Sequence, residues 1–471
     1  MKTNDHDIPT LIKRARDAQE AIANYTQEDI DRVCTYVGWE VYCDENIAEL
    51  AKLAVDETGM GNVKDKITKH KNKVLGVLDD IRGARSVGLI EYDEKKKISK
   101  YAKPVGVVGA LTPVTNPTAT PASNAISVLK GRNAVIFAPH PSAKKASKQA
   151  VLYMREGLKK AGAPEDLIQI VESPSIEKTN ALMEQADVVL ATGGAAMVKA
   201  AYSSGTPAYG VGPGNSVQII AEDAMVDDAA KKILMSKTFD YATSCSSENS
   251  VIVHDTIYDD FVKALEAQGA YFVKGEGRER LEQHMFVENK KGMRALNPKI
   301  IAKSAVKIAT DAAIDVPEST TALLVKGHEN IEEDLLAREK ISPVLAVYRY
   351  NAFGDAFTLL KRLIENQGKG HSCGIHTFTK SYIETLGKHM KTSRILVNQP
   401  QAAGNGGAFF NGMPSTVSLG CGSWGGNITT ENIHYKHFLN VTWLSEYFEP
   451  VKPSEETIFG DIMRSNKDDA S

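Results

Sequence analysis

A cysteine set among small polar residues, Tyr241-Ala-Thr-Ser-Cys245-Ser-Ser-Glu-Asn-Ser250, is the stretch of this chain best suited to covalent chemistry. The apolar run 251–254 follows it and reads as a buried strand, so the thiol sits on a loop held by a sheet. Such a thiol is a nucleophile, a metal ligand or an inert buried group. Asn116, in Leu111-Thr-Pro-Val-Thr-Asn116-Pro117, either caps a helix that starts at Pro117 or donates its amide to an oxyanion. His371 and His376 share one short segment, where a histidine is a structural hydrogen-bonding residue or a proton acceptor. The glycine loops Ala191-Thr-Gly-Gly194 and Gly210-Val-Gly-Pro-Gly-Asn215 are simple turns, or permit close approach of a phosphate or nicotinamide. Ala138-Pro-His-Pro141 is a rigid turn at a strand end, where an adenosine would lie.

These residues need elements to position them. The 471 residues are 42% apolar and 24% charged, enough for two or three domains with a large core. The net charge of −3, with no basic tract, argues against nucleic-acid or membrane-surface binding. No apolar run approaches a transmembrane helix and the N-terminus has no apolar signal core, so a cytoplasmic protein is expected. Five cysteines without a C-x-x-C pair speak for free thiols, with neither a disulfide framework nor a metal site.

Helical spacing predicts surface helices over 9–22 and 26–56 and another over 63–85, with Glu94-Lys-Lys-Lys97 as a solvated turn. From 98 onward apolar segments alternate with helical ones: 105–110, 134–138, 167–171, 188–190 and 217–221. That is the pattern of a parallel, doubly wound sheet. A second alternating section, with strands near 250–254, 321–326, 343–348, 373–378 and 394–398, begins near 240. After 399 the chain is rich in glycine and asparagine, and Phe409, Phe410 and Trp424 suggest an ordered, packed loop. Residues 437–443 alternate as an edge or intersubunit strand would. No G-x-G-x-x-G fingerprint occurs.

Taken in order over roughly 20–450, these motifs resemble the aldehyde dehydrogenase superfamily, and within it the CoA-acylating branch. Glu57-Thr-Gly-Met-Gly61 is similar to an early helix end of the family. The Asn116 loop resembles the one bearing the family's oxyanion asparagine. Cys245-Ser-Ser-Glu-Asn-Ser250 resembles the nucleophile loop, Glu339-Lys-Ile-Ser-Pro-Val344 the segment whose glutamate holds the nicotinamide ribose, and Gly370-His371 a histidine of the acylating enzymes. Gly420-Cys-Gly-Ser-Trp-Gly-Gly-Asn427 is similar to the aldehyde domain of bifunctional aldehyde/alcohol dehydrogenases. The resemblance implies an α/β fold of two doubly wound domains with a small β bridging segment. An NAD(P)-binding domain over 1–238 would carry bridging strands at about 91–104. A catalytic domain would span 239–430, and a return strand and tail 431–471.

It further implies that Cys245, Asn116 and His371 are catalytic. Thr112, Pro113, His140, Pro141, Thr192, Gly193, Gly194, Val211, Gly212, Glu339 and Pro343 would bind the cofactor, NAD or NADP. Tyr241, Thr243, Ser244 and Ser246 would line the aldehyde. Hydrolytic members carry a water-activating glutamate in a Glu-Leu-Gly-Gly-Lys loop; the loop 210–215 here has no acid, so coenzyme A is the expected acceptor. The hydroxyls of Thr243 and Ser244 suit a short polar aldehyde. Overall the chain is most similar to the sulfoacetaldehyde-acting members of the branch, which make sulfoacetyl-CoA, and Lys369, His371 and Arg394 are candidate partners for a sulfonate. An acylating acetaldehyde or propionaldehyde enzyme and a thiol redox-sensing protein are the alternatives. The family's shared strands imply a homo-oligomer, dimer or tetramer.

Overall fold

A computed structural model describes residues 7–289 and 292–468. Four helices open it: α1 (Ile8–Ala21), α2 (Gln27–Tyr42), α3 (Asp44–Thr58) and α4 (Val63–Ile81). The segment expected as one helix over 26–56 breaks at Cys43, whose extended backbone ends α2 and opens α3. Asp44 and Glu45 then fall in the first turn of α3, where the helix dipole favours acids. A reciprocal Thr26–Asp29 box caps α2, and Asn62 caps α4 through the Asp65 N–H. The helices are not merely on the surface: Val33, Val37, Val74 and Val77 are buried in the first core.

That core surrounds a five-stranded parallel sheet. Its strands are β3 (Val107–Thr112), β4 (Ala134–Pro139), β5 (Ile168–Ile170), β6 (Val188–Thr192) and β7 (Ala208–Val211), in the spatial order β5-β4-β3-β6-β7. Every residue of β3 and β4 is buried, as strands covered on both faces must be. The chain builds outward from β3 to β5, then crosses to the other side, so the topological switch lies between β3 and β6. β7 corrects the reading of Gly210-Val211 as a turn: Gly210 pairs with Ala191 and Val211 with Thr192.

The second sheet has seven parallel strands: β8 (Ser216–Ile220), β9 (Glu248–His254), β10 (Ala270–Val273), β13 (Ala322–Lys326), β14 (Val344–Tyr350), β15 (Gly370–His376) and β16 (Thr392–Val397). Their order is β10-β13-β14-β9-β8-β15-β16. The strand expected at 217–221 therefore forms, but it belongs to this sheet, between β9 and β15, rather than continuing the first. A two-stranded ribbon, β11 (Phe286–Glu288) and β12 (Arg294–Leu296), stands apart. A three-stranded antiparallel sheet joins β1 (Gly88–Asp93), β2 (Ile98–Pro104) and β17 (Leu439–Ser445), with 94–97 as the turn between the first two. Among the described residues no helix is long and apolar enough to cross a membrane.

Candidate active site around Cys245

Cys245 lies on the short loop between a tight turn, Phe239–Ala242, and β9. The sheet supplies one side of its surroundings. His371, on β15, is fully buried, and its Nε2 stands 3.3 Å from Cys245 Sγ. Its Nδ1 is 2.8 Å from Ser372 Oγ. If Nδ1–H donates to that hydroxyl, Nε2 is left as an acceptor facing the thiol. Burial, reinforced by the Arg394 guanidinium, lowers His371 to about 3, so the imidazole is neutral at any working pH. Burial, with Glu339 nearby, pushes the Cys245 thiol up to about 12. The resting pair is a neutral thiol against a neutral base.

Glu339, just before β14, accepts a hydrogen bond from Gly214 N at 3.2 Å. Burial raises it to about 7 against the pull of that N–H and of Lys237. Gly214 needs to be glycine, because a Cβ there would sit 2.0 Å from the Cys245 carbonyl oxygen. Residues 212–215 hold no acid, so the only carboxylate the loop brings near the thiol is Glu339, reached through its backbone.

Helix α4 supplies the other side. Lys69 Nζ donates to Asn116 Oδ1 (2.9 Å), Asp240 Oδ2 (2.6 Å) and Thr243 Oγ1 (2.5 Å). An ammonium only donates, so it forces the Asn116 carbonyl oxygen toward itself and leaves Nδ2 as the opposite end of the amide. Asn116 does not cap the following helix, α5 (Ala119–Lys130), with its side chain; Thr118 holds the cap position. Lys66 adds a second ion pair to Asp240 at 3.1 Å. Burial opposes ionisation of Asp240, but Lys69 and Lys66 outweigh it and hold the carboxyl below its ordinary range. Asp240, Tyr241 and Ala242 all adopt left-handed backbone, φ 50°, 51° and 61°. Each such non-glycine residue costs about 1–3 kcal/mol and persists only where its neighbours hold it. Here Asp240 is gripped by both lysines, the Asn62 N–H and Thr243 Oγ1, while its own N–H donates to Asp65.

A cavity of about 390 Å³ opens from Cys245, lined by Asn116, Ser244 and Ser246 at the thiol and by Lys69, Asn72 and Lys73 along α4. Of the expected aldehyde-side residues, Ser244 and Ser246 line this cavity. Thr243 does not: its hydroxyl is committed to Asp240 and Lys69. Tyr241, half-buried, is not on the cavity wall either. Phe409 and Phe410, expected to be packed, are 63% and 56% exposed at the cavity. Lys369 is exposed, and Arg394 is spent on the carbonyls of His371 and Gly420. Lys69 and Lys73 are the cations that line the cavity, and neither stands out in the sequence. The spacing Lys66-x-x-Lys69-x-x-x-Lys73, which puts all three on one helical face, was the available signal.

The remaining candidates gather at one edge of the five-stranded sheet. Thr112 and Pro113 end or follow β3, His140 and Pro141 follow β4, Thr192 to Gly194 end β6, and Val211 and Gly212 end β7. These are carboxyl ends of parallel strands on both sides of the switch, where such sheets receive dinucleotides. The buried Thr112 hydroxyl has no partner there, and Gly193 and Gly194 precede helix Ala195–Tyr202, so the residues fit a nucleotide. Pro343, beside β14, lies with Glu339 on the catalytic side. Glu431, His434 and His437 bring possible metal-ligating atoms within 4.8 Å of one another, away from the cavity lining.

Known proteins are similar to this chain along nearly its whole length. A sulfoacetaldehyde dehydrogenase from an Acholeplasma species is 68% identical over 98% of this chain and 95% of its own. The acylating sulfoacetaldehyde dehydrogenase of Bilophila wadsworthia is 58% identical over 97% of this chain and 98% of its own. The crystal structure of an acetylating aldehyde dehydrogenase from Geobacillus thermoglucosidasius superposes with a TM-score of 0.91, at 37% identity, over 95% of this chain and 98% of its own. Residues 1–418 match the aldehyde dehydrogenase family, and with a cysteine loop, a strand-borne histidine and a switch-point crevice in one frame, the chain belongs to that family.

Proposed function

We propose that the chain is a CoA-acylating aldehyde dehydrogenase that oxidises sulfoacetaldehyde with NAD(P)+ and delivers the acyl group to coenzyme A as sulfoacetyl-CoA. The observation that carries the chemistry is the 3.3 Å contact between Cys245 Sγ and a His371 that is neutral in the resting site. His371 takes the thiol proton as the thiolate attacks the aldehyde carbon, forming a C–S bond and an oxyanion. The Asn116 amide, pinned by Lys69, and the Cys245 N–H steady that oxyanion; each donor is worth about 3 kcal/mol in comparable sites. Glu339 and the strand-end residues from Thr112 to Gly212 would hold a nicotinamide cofactor, which would supply the hydride acceptor. His371 releases that first proton to water before CoA arrives; the CoA thiol then attacks the cysteine thioester, its proton passing to His371 and on to the departing Cys245 thiolate, which restores the resting pair. With no acid in 212–215 to activate water, the thioester waits for CoA.

The substrate follows the relatives named for sulfoacetaldehyde, at 58% and 68% identity. A neutral short aldehyde is the second reading, favoured by the rings of Phe409 and Phe410 at the cavity. The test is kcat/KM for sulfoacetaldehyde, acetaldehyde, propionaldehyde and succinate semialdehyde, with and without CoA. Sulfoacetaldehyde is expected to lead, with one equivalent of NAD(P)H per site before CoA is added. Sustained turnover without CoA would overturn the acylating assignment.

Within this reading, 1–238 binds cofactor apart from β8, 239–430 carries catalysis, and 431–471 returns to bridge. The chain works in the cytoplasm as a homo-oligomer. In support, β17 has one unpaired edge and exposes Val441, Trp443 and Leu444, while helix Glu455–Asp468 exposes Ile458 and Phe459. Sedimentation of the intact chain and of one truncated after Ser445 checks this; the truncated form is expected to dissociate.

A further inference from the structure

The cavity beside Cys245 holds two lysines and no acidic residue on its wall. The two cations are not equivalent. Lys69 has spent all three of its hydrogens, one on a carboxylate, so its charge is answered within the protein. Lys73 donates only to the neutral carbonyls of Gly406 (2.5 Å) and Gly407 (3.2 Å) and makes no ion pair among the described residues. Two of the three hydrogens of this partly buried ammonium are thereby used, and Lys73 lines the cavity with Asp80 acting on it only at longer range than an ion pair. Burial, with Lys69 alongside and Asp80 pulling the other way, lowers Lys73 to about 8.

Position adds to charge. Lys73 follows Lys69 by four residues on α4, a rise of about 6 Å along the axis. Lys69 holds the Asn116 amide, and Lys73 lines the same cavity from one helical turn further along α4. An acid group one methylene away from an aldehyde carbon, plus one hydrogen bond, covers such a gap. The Asn72 side chain lines the same wall and is exposed, a second donor for a group with three oxygens.

We propose that Lys73 is the receptor for the substrate's anionic group, and that with Asn72 it selects two-carbon aldehydes bearing a sulfonate over neutral aldehydes of the same length. The inference rests on the proposed aldehyde chemistry at Cys245. Binding of the sulfonate closes an ion pair that the free protein lacks, while Gly406 and Gly407 keep the ammonium aimed.

The test compares wild type, Lys73→Gln and Lys73→Arg. Lys73→Gln is expected to lose roughly 10- to 100-fold in kcat/KM for sulfoacetaldehyde, the value of one charge-assisted hydrogen bond, and less than about fivefold for acetaldehyde. Lys73→Arg, which keeps the charge, retains the preference. Equal losses on both aldehydes, or none on sulfoacetaldehyde, would overturn the role. A second readout needs no turnover: ethanesulfonate should shield Cys245 from iodoacetamide in wild type, at concentrations at least tenfold lower than in Lys73→Gln. Shielding without any aldehyde oxidation would sink the proposed function and keep the anion receptor. Oxidation of sulfoacetaldehyde with equal or absent shielding in both proteins would do the reverse.

Discussion

Cys245 stands between two surroundings that handle charge in opposite ways. On the sheet side, His371 and Glu339 are removed from water and pushed toward their neutral forms. Arg394, the cation beside His371, is wrapped in carbonyl oxygens. On the α4 side, Lys66, Lys69 and Asp240 are also removed from most water but are joined in ion pairs, and the two lysines hold the Asp240 carboxyl below its ordinary range. Moving a proton from thiol to imidazole makes an ion pair that burial disfavours, so on the sheet side the transfer goes together with attack of sulfur on the aldehyde carbon rather than before it. An oxyanion or a sulfonate needs fixed charge and oriented dipoles, which the helix side arranges. The cysteine is where the two meet, so variants on either side should fail in different ways.

The largest effect is expected where both sides converge. Cys245→Ala removes the nucleophile, and NAD(P)H formation with aldehyde and CoA should fall by about 10⁴-fold or more. Residual turnover above a thousandth of wild type would break the scheme. His371→Ala strikes the sheet side alone, lowering kcat by about 10²–10³-fold, the usual worth of a positioned base. The pH dependence carries the sharper information. With His371 lowered to about 3 and the Cys245 thiol raised to about 12, the iodoacetamide rate in wild type should show no inflection near the ordinary histidine value. It should keep rising past the ordinary cysteine value, since the thiolate fraction grows only as pH approaches the raised one. A plateau by pH 9 would mean that the thiol is activated in some other way.

Asp240→Asn strikes the helix side. It leaves two ammoniums, 6% and 11% exposed, without their carboxylate, and releases three left-handed residues from their anchor. Removing one partner of a buried pair costs about 3–5 kcal/mol, which thermal or urea unfolding measures directly. The sign in pH follows from the depressed carboxyl: its stabilisation is fully present above the unfolded-state value and is lost as pH falls through the lower, folded one. Wild type should lose stability in that acid range, and the variant should lose less of it there.

Sequence reading reached the two sides unequally. The sheet side was legible because its residues sit beside apolar runs: 251–254 follow Cys245, and His371 falls in a segment that reads as a strand. Those runs are buried parallel strands, whose signal is local. The sheet to which a strand belongs is not local, so the sequence groups β8 with the strands before it, whereas it pairs with β9 and β15. β7 was hidden by its own glycine, because four residues of an edge strand give no alternation. The helix side was nearly silent. Lysines at 66, 69 and 73 look like any solvated helical face until tertiary packing turns that face onto Asp240 and the cavity. Thr243 misled for the same reason: a hydroxyl two residues before the nucleophile suggests substrate, and only the fold shows it bonded to Asp240.

The smallest expected effect isolates the cavity from the network beneath it. Ser244 lines the cavity and its Oγ accepts from Ser246 N at 3.2 Å, while Thr243, one residue back, faces the buried ion pairs. Ser244→Ala removes one neutral hydroxyl, worth about 0.5–1.5 kcal/mol, or roughly two- to tenfold in kcat/KM for sulfoacetaldehyde. Stability should be unaffected, because the hydroxyl touches neither lysine nor Asp240. Thr243→Val should invert the pattern, lowering the unfolding midpoint with activity falling only as the Asp240 turn loosens. Kinetics and melting on the same two proteins decide the matter. If Ser244→Ala melts earlier and Thr243→Val only raises KM, the two surroundings of Cys245 are not the separate devices their charges make them.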